Sequence, residues 1–197
     1  MVMGGSLSRH DERHDAGGLA PDQSFGRNLL WRRMVIDAIR SDPGWNNGNY
    51  AQSPRGWIWG YSVLWMMIDS ASNLQEIIPN GPAADKFLAA NRVAAEHVDP
   101  NNILYSLKSS FSYDPEPGLS TIKTKLFALN FADDEFNPDK LQVLEGLVPK
   151  LQNGRYVVQA GTTRSPGHFT MTRPDLWAHH VGEFMQWLGD APSAAKQ

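Results

Sequence analysis

Phe131-Ala132-Asp133-Asp134-Glu135-Phe136-Asn137-Pro138 closes the apolar run that starts at Lys125, and Ser165-Pro166-Gly167-His168-Phe169 comes shortly after the next such run, Arg155 to Ala160. Both runs have the length and composition of strands, and Asp139 to Leu147 between them has helical spacing. A last helix is predicted over Pro174 to Leu188. Strand, helix, strand, helix with short links predicts an α/β class with parallel strands and right-handed crossovers. Open sheets of this kind place their chemistry just beyond the carboxyl ends of the strands, where Asp134 and His168 both fall. Alone, an Asp in a post-strand turn is commonly a turn residue, and a lone His commonly lies at the surface. At this spacing they read as the acid and base of a triad, because the imidazole needs a carboxylate to fix its tautomer and stabilise its charged form. Asp133 is the weaker choice, since the Asp-x-Phe-x-Pro register runs from Asp134 to Pro138.

Upstream, the pattern is helical. Leu30, Trp31, Met34, Val35, Ala38 and Ile39 recur at helical spacing within Asn28 to Arg40, which Ser41-Asp42-Pro43 stops. Gly44 to Arg55 is rich in Gly, Asn and Pro and predicts a structured loop. Trp57 to Ser70 is apolar nearly all round, as in a helix covered on most sides. Further helices are predicted from Pro82 to about His97 and over Asn101 to Ser110. These four form one helical insertion. The expected organisation is residues 1–25 as an irregular segment, 26–112 as the insertion, 113–190 as the α/β core and 191–197 as a tail that frays.

Composition narrows the function classes. At 197 residues and 41% apolar side chains the chain builds one core, and its net charge of −3, without a Lys or Arg block, provides no footprint for nucleic acid. There is no cysteine, so disulfides, thiolate metal sites and a Cys nucleophile are excluded. The most apolar run, Trp57 to Ile68, is broken by Gly60-Tyr61-Ser62 and is shorter than the roughly 20 residues of a bilayer span. With no secretory leader legible, the expectation is a soluble, cytoplasmic protein without a membrane partner. His10 and His14 have the i, i+4 spacing of metal ligands but stand in an unpatterned polar segment, so no metal is expected. His179 and His180 read as packing or surface residues.

A nucleophile is sought before the acid, and Val2-Met3-Gly4-Gly5-Ser6-Leu7-Ser8 reads as a strand turning into an elbow around Ser6. Here Gly-x-Ser-x-Gly has become Gly-x-Ser-x-Ser.

Arg40-Ser41-Asp42-Pro43-Gly44-Trp45-Asn46-Asn47-Gly48-Asn49-Tyr50 and Ser53-Pro54-Arg55-Gly56-Trp57, taken with Phe131 to Pro138 and Gly167-His168, resemble the lid and triad segments of the homoserine O-acetyltransferase-like branch of the α/β-hydrolases. The resemblance runs from about Gly26 to Leu188. It implies a partial α/β-hydrolase fold, with parallel strands flanked by helices and a helical lid insertion. It also implies acyl transfer from an acyl-CoA co-substrate, or ester hydrolysis, through an acyl-serine. Ser6 would be the nucleophile, His168 the base and Asp134 its orienter, acting on a small-molecule ester or acyl acceptor, with no further cofactor. By the same resemblance Arg27 would stand in for the family arginine that faces the substrate; a plain role at the start of the first lid helix is the alternative. Phe169 stands where homoserine acetyltransferases carry an Asp that meets the substrate ammonium.

Family members carry several strands and an oxyanion loop before the nucleophile, where five residues stand here. Three readings follow: an enzyme truncated or completed by another chain, an inactive remnant serving as a binding or dimerisation module, and a groove lined by Trp45, Trp57, Trp59 and Trp65. For those tryptophans, a place in the core is the more usual reading. Lid helices or an unpaired sheet edge would support a homodimer.

Overall fold

In the computed structural model the described residues are 2–4, as backbone, and 26–189. Ser6, His10, His14 and the tail 191–197 lie outside the described residues. Helix α1 (Gly26–Arg40) is followed by a 3-10 turn (Pro43–Gly48), then α2 (Arg55–Ile68), α3 (Ala71–Ile77), α4 (Gly81–Ala95) and α5 (Pro100–Ser109). The five helices enclose a core of Trp31, Val35, Ile36, Ile39, Trp57, Tyr61, Met67, Ala95, Leu104 and Leu107. The buried stripe of α1 differs from the predicted one: Asn28 and Arg32 turn inward, whereas Leu30 and Met34 are exposed. Trp57 is a core residue whose indole donates to the Ala95 carbonyl. On the same helix Trp59 and Met66 face outward, while Ile58, Val63, Leu64 and Trp65 pack against the core, so α2 is covered on most sides, as its apolar run predicts.

Asp42 joins the end of α1 to the start of α2, accepting the Gly44 N–H on one oxygen and the Gly56 N–H on the other, each at 2.7 Å. These bonds, Gly56 first, hold its carboxyl below the ordinary value. A Cβ on Gly56 would stand 1.9 Å from the Ala38 carbonyl oxygen, so this close helix approach requires glycine. The predicted loop turns on Asn46 and Asn47, both left-handed, which asparagine tolerates. Helix α3 was absent from the predicted helices; Ser70 caps it by accepting the Asn73 N–H.

Strands β2 (Leu126–Phe131) and β3 (Gly154–Gln159) pair in parallel, Leu126 opposite Gly154 and Phe131 opposite Gln159. β2 is buried on both faces, as expected of a covered parallel sheet. Leu126 and Ala128 pack with Leu119, Leu147, Val148 and Leu151, while Phe127, Leu129 and Phe131 pack under Phe184 of α7 (Pro174–Gly189). The helix expected over Asp139 to Leu147 is divided: Gln142 takes a left-handed conformation (φ 51°), leaving a 3-10 turn (Asp139–Leu141) and the short α6 (Val143–Leu147). A third strand, β1 (Val2–Gly4), pairs with β2 in the antiparallel sense, Val2 opposite Ala128 and Gly4 opposite Leu126. This differs from the parallel arrangement of β2 and β3. The free edge of β2 offers N–H and C=O groups that a strand satisfies in either direction.

Candidate active site

The turn that follows β2 is built around Asp134. One of its carboxylate oxygens accepts the Phe136 N–H (2.7 Å) and the Asn137 N–H (3.2 Å), while the other accepts the Asn137 side-chain amide (3.2 Å). That second oxygen also lies 2.9 Å from Nδ1 of His168. The Asp134 side chain is 4% exposed and that of His168 24%, so the acid is buried behind a base that reaches the surface. Burial alone raises the Asp134 carboxyl. The bond to His168, its charge, the Asn137 amide and the Phe136 N–H together outweigh that and hold it below the ordinary carboxylate value. In the neutral imidazole a carboxylate at Nδ1 favours the tautomer with its proton there, which puts the lone pair on Nε2. Among the described residues nothing bonds Nε2.

His168 stands in a 3-10 turn (Gly167–Thr172) held against the helices. Gly167 has φ +59°, and a Cβ there would stand 2.6 Å from the Ser70 N, against the junction of α2 and α3. The Ser70 hydroxyl donates to the Ser165 carbonyl at 3.2 Å. Ser165, buried, donates its own hydroxyl to Asp133 (2.8 Å) and accepts the Thr162 N–H (2.6 Å). Two side-chain bridges, Asp133 to Ser165 and Asp134 to His168, therefore join the acid turn to the base loop.

Helix α1 meets the same turn. The Asn28 amide donates to the Phe136 carbonyl (2.7 Å), and Asn28 itself accepts the Trp31 indole N–H (2.9 Å). Phe136 stacks on Trp31 (4.8 Å between ring centres) and lies over His168 (4.5 Å). Arg27 forms an ion pair with Glu135 and so sits at the rim of the acid turn. Phe169 packs against Trp65 of α2 at 4.9 Å.

Of the residues singled out in the sequence, Asp134 and His168 are brought together, Arg27 and Phe169 flank them, and Ser6 lies outside the described residues. Asn28, Trp31 and Ser165 were missed as parts of the site, Phe136 was read only as part of the turn register, and Asp133, the weaker choice of acid, bonds Ser165 instead of His168. The Asn28 contact joins residues 108 positions apart, a separation that no local pattern reports. Among the described residues no group of His, Asp and Glu is arranged to hold a metal ion. No helix there is long and apolar enough to cross a membrane.

Two parallel strands, helices on both faces and an Asp–His pair beyond the carboxyl ends of the strands make up part of an α/β-hydrolase fold. Solved structures share it. The chain superposes on homoserine O-acetyltransferase from Bacillus anthracis with a TM-score of 0.69 at 19% identity, covering 80% of this chain and 48% of that one. It is similar to the acetyl esterase MekB (TM-score 0.63, 18% identity, 83% and 52% covered) and to homoserine O-acetyltransferase from Staphylococcus aureus (TM-score 0.61, 14% identity, 91% and 51% covered). The chain spans about half the length of these structures. No protein-family description matches the sequence, and no curated protein does.

Proposed function

We propose that this chain carries the acid and base of a Ser-Asp-His triad that transfers an acyl group or hydrolyses an ester, in the manner of a homoserine O-acetyltransferase-like α/β-hydrolase. The observation that supports it is the buried Asp134 carboxylate at 2.9 Å from Nδ1 of a partly exposed His168. In this reading Nε2 of His168 takes the proton of the Ser6 hydroxyl as its oxygen attacks the acyl carbonyl of an ester or acyl-CoA. The imidazolium, steadied by Asp134, then protonates the departing alcohol or thiol, leaving an acyl-serine. An alcohol or water, deprotonated by His168, attacks that acyl group. The product forms and the proton returns to Ser6. Arg27, paired with Glu135 beside the Asp134 turn, and Phe169, next to His168 in the chain, contact the substrate in this reading.

Intact mass after incubation with a fluorophosphonate tests this reading. A single adduct that disappears in Ser6→Ala and in His168→Ala is expected, and no adduct on the folded parent would overturn it. A second reading, a catalytically silent binding or dimerisation module, is favoured by one observation. Gly4 lies opposite Leu126, at the amino end of β2, whereas Asp134 and His168 lie beyond the carboxyl ends. A folded, unlabelled parent supports that second reading.

A further inference from the structure

We propose that Phe136 is a positioning residue through which helix α1 holds the acid–base pair in register; this rests on the reading of Asp134 and His168 as acid and base. Phe136 touches both members of the pair by different groups. Its backbone N–H donates to the Asp134 carboxylate, and its ring lies over the His168 imidazole. On its other side Phe136 meets α1. The Trp31 ring stacks on Phe136 at an interplanar angle of 18°, and the Asn28 amide donates to the Phe136 carbonyl. Trp31 and Asn28 are buried and bonded to each other, so they form a rigid backing rather than a surface contact.

The consequence is specific to the imidazole. A hydrogen bond to Asp134 fixes one point of the ring and leaves it free to rock about that bond. A second flat surface against its face removes that freedom. The aromatic contact is tilted, with ring centres 4.5 Å apart and planes at 35°, within the separation at which ring pairs attract. The ring of Phe136 therefore does for His168 what the Asp134 carboxylate cannot do alone: it sets the direction in which Nε2 points.

The test is proton NMR of the whole chain, following the His168 Nδ1 proton that the bond to Asp134 protects from solvent. The parent shows this low-field signal, and Asp134→Asn loses it. In Phe136→Leu, which keeps apolar bulk but not the ring, the proton exchanges about twofold to tenfold faster, the range that one aromatic pair supplies. Phe136→Tyr restores the parent rate. Asn28→Ala, which touches neither Asp134 nor His168, also speeds exchange and carries the test by itself if Phe136→Leu does not fold. Parent-like exchange in a folded Phe136→Leu or in Asn28→Ala overturns the proposal while the pair stands. Persistence of the signal in Asp134→Asn overturns the pair and the proposal with it.

Discussion

Replacing Gly167 by alanine puts a methyl group where the structure has backbone. The new Cβ would lie 2.6 Å from the Ser70 N, 2.9 Å from the Asp69 carbonyl carbon and 2.9 Å from the Ile68 oxygen. None of these atoms swings aside, because all belong to the main chain at the end of α2. Two costs combine. The left-handed conformation at φ +59° costs an L residue roughly 1–2 kcal/mol. Overpacking against an immobile neighbour adds about 1–3 kcal/mol. The expected loss is about 2–5 kcal/mol, a large part of the roughly 5–15 kcal/mol that holds a domain together. Urea unfolding followed by tryptophan fluorescence reads this directly as a lowered midpoint at unchanged slope. Gly182→Ala is the control: it lies within α7 with nothing inside 4 Å of its Cβ, and alanine there should stabilise by about 0.5–1 kcal/mol. If Gly167→Ala unfolds within about 0.5 kcal/mol of the parent, the claim that the base loop is clamped to the α2–α3 junction is refuted.

Two further outcomes follow from the same contacts. Because the folded Asp134 carboxyl lies below its unfolded value of about 3.9, its ionised form adds stability that is complete above that value and is lost as pH falls through the lower folded one. The stability gap between the parent and Asp134→Asn should therefore narrow on acidification below about pH 4, and a gap that stays constant to pH 2 contradicts the assignment. Ser165→Ala leaves the Asp133 carboxylate and the Thr162 N–H without their partner but keeps the Ser70 bond, which goes to the Ser165 backbone. A loss of about 1–3 kcal/mol in the unfolding midpoint is expected, and a neutral result would show that this second bridge does not stabilise the loop.

Much of the architecture was legible because it is written in local spacing. The apolar periodicity of α1 and α2, the stop at Ser41-Asp42-Pro43, and the strand-length runs before Asp134 and His168 are properties of neighbours in the chain. Where prediction and structure part, a long-range contact or a single backbone angle decides. The rotation of α1 that exposes Leu30 and buries Asn28 and Arg32 answers to what packs against the helix, including the acid turn more than a hundred residues away. Gln142 breaks the helix expected over Asp139 to Leu147 by one left-handed residue that carries no glycine signal.

By itself the sequence determined the class of fold, most of the helices, the two parallel strands and the placement of Asp134 and His168 beyond them, since helix and strand periods and turn residues act over a few positions. Only the tertiary structure decided that Asp134 and His168 meet at hydrogen-bond distance, that Phe136 and Trp31 stack behind them, and that β1 runs against β2. Those outcomes depend on which surfaces pack together and which sheet edge is free, and packing joins residues without regard to their distance along the chain.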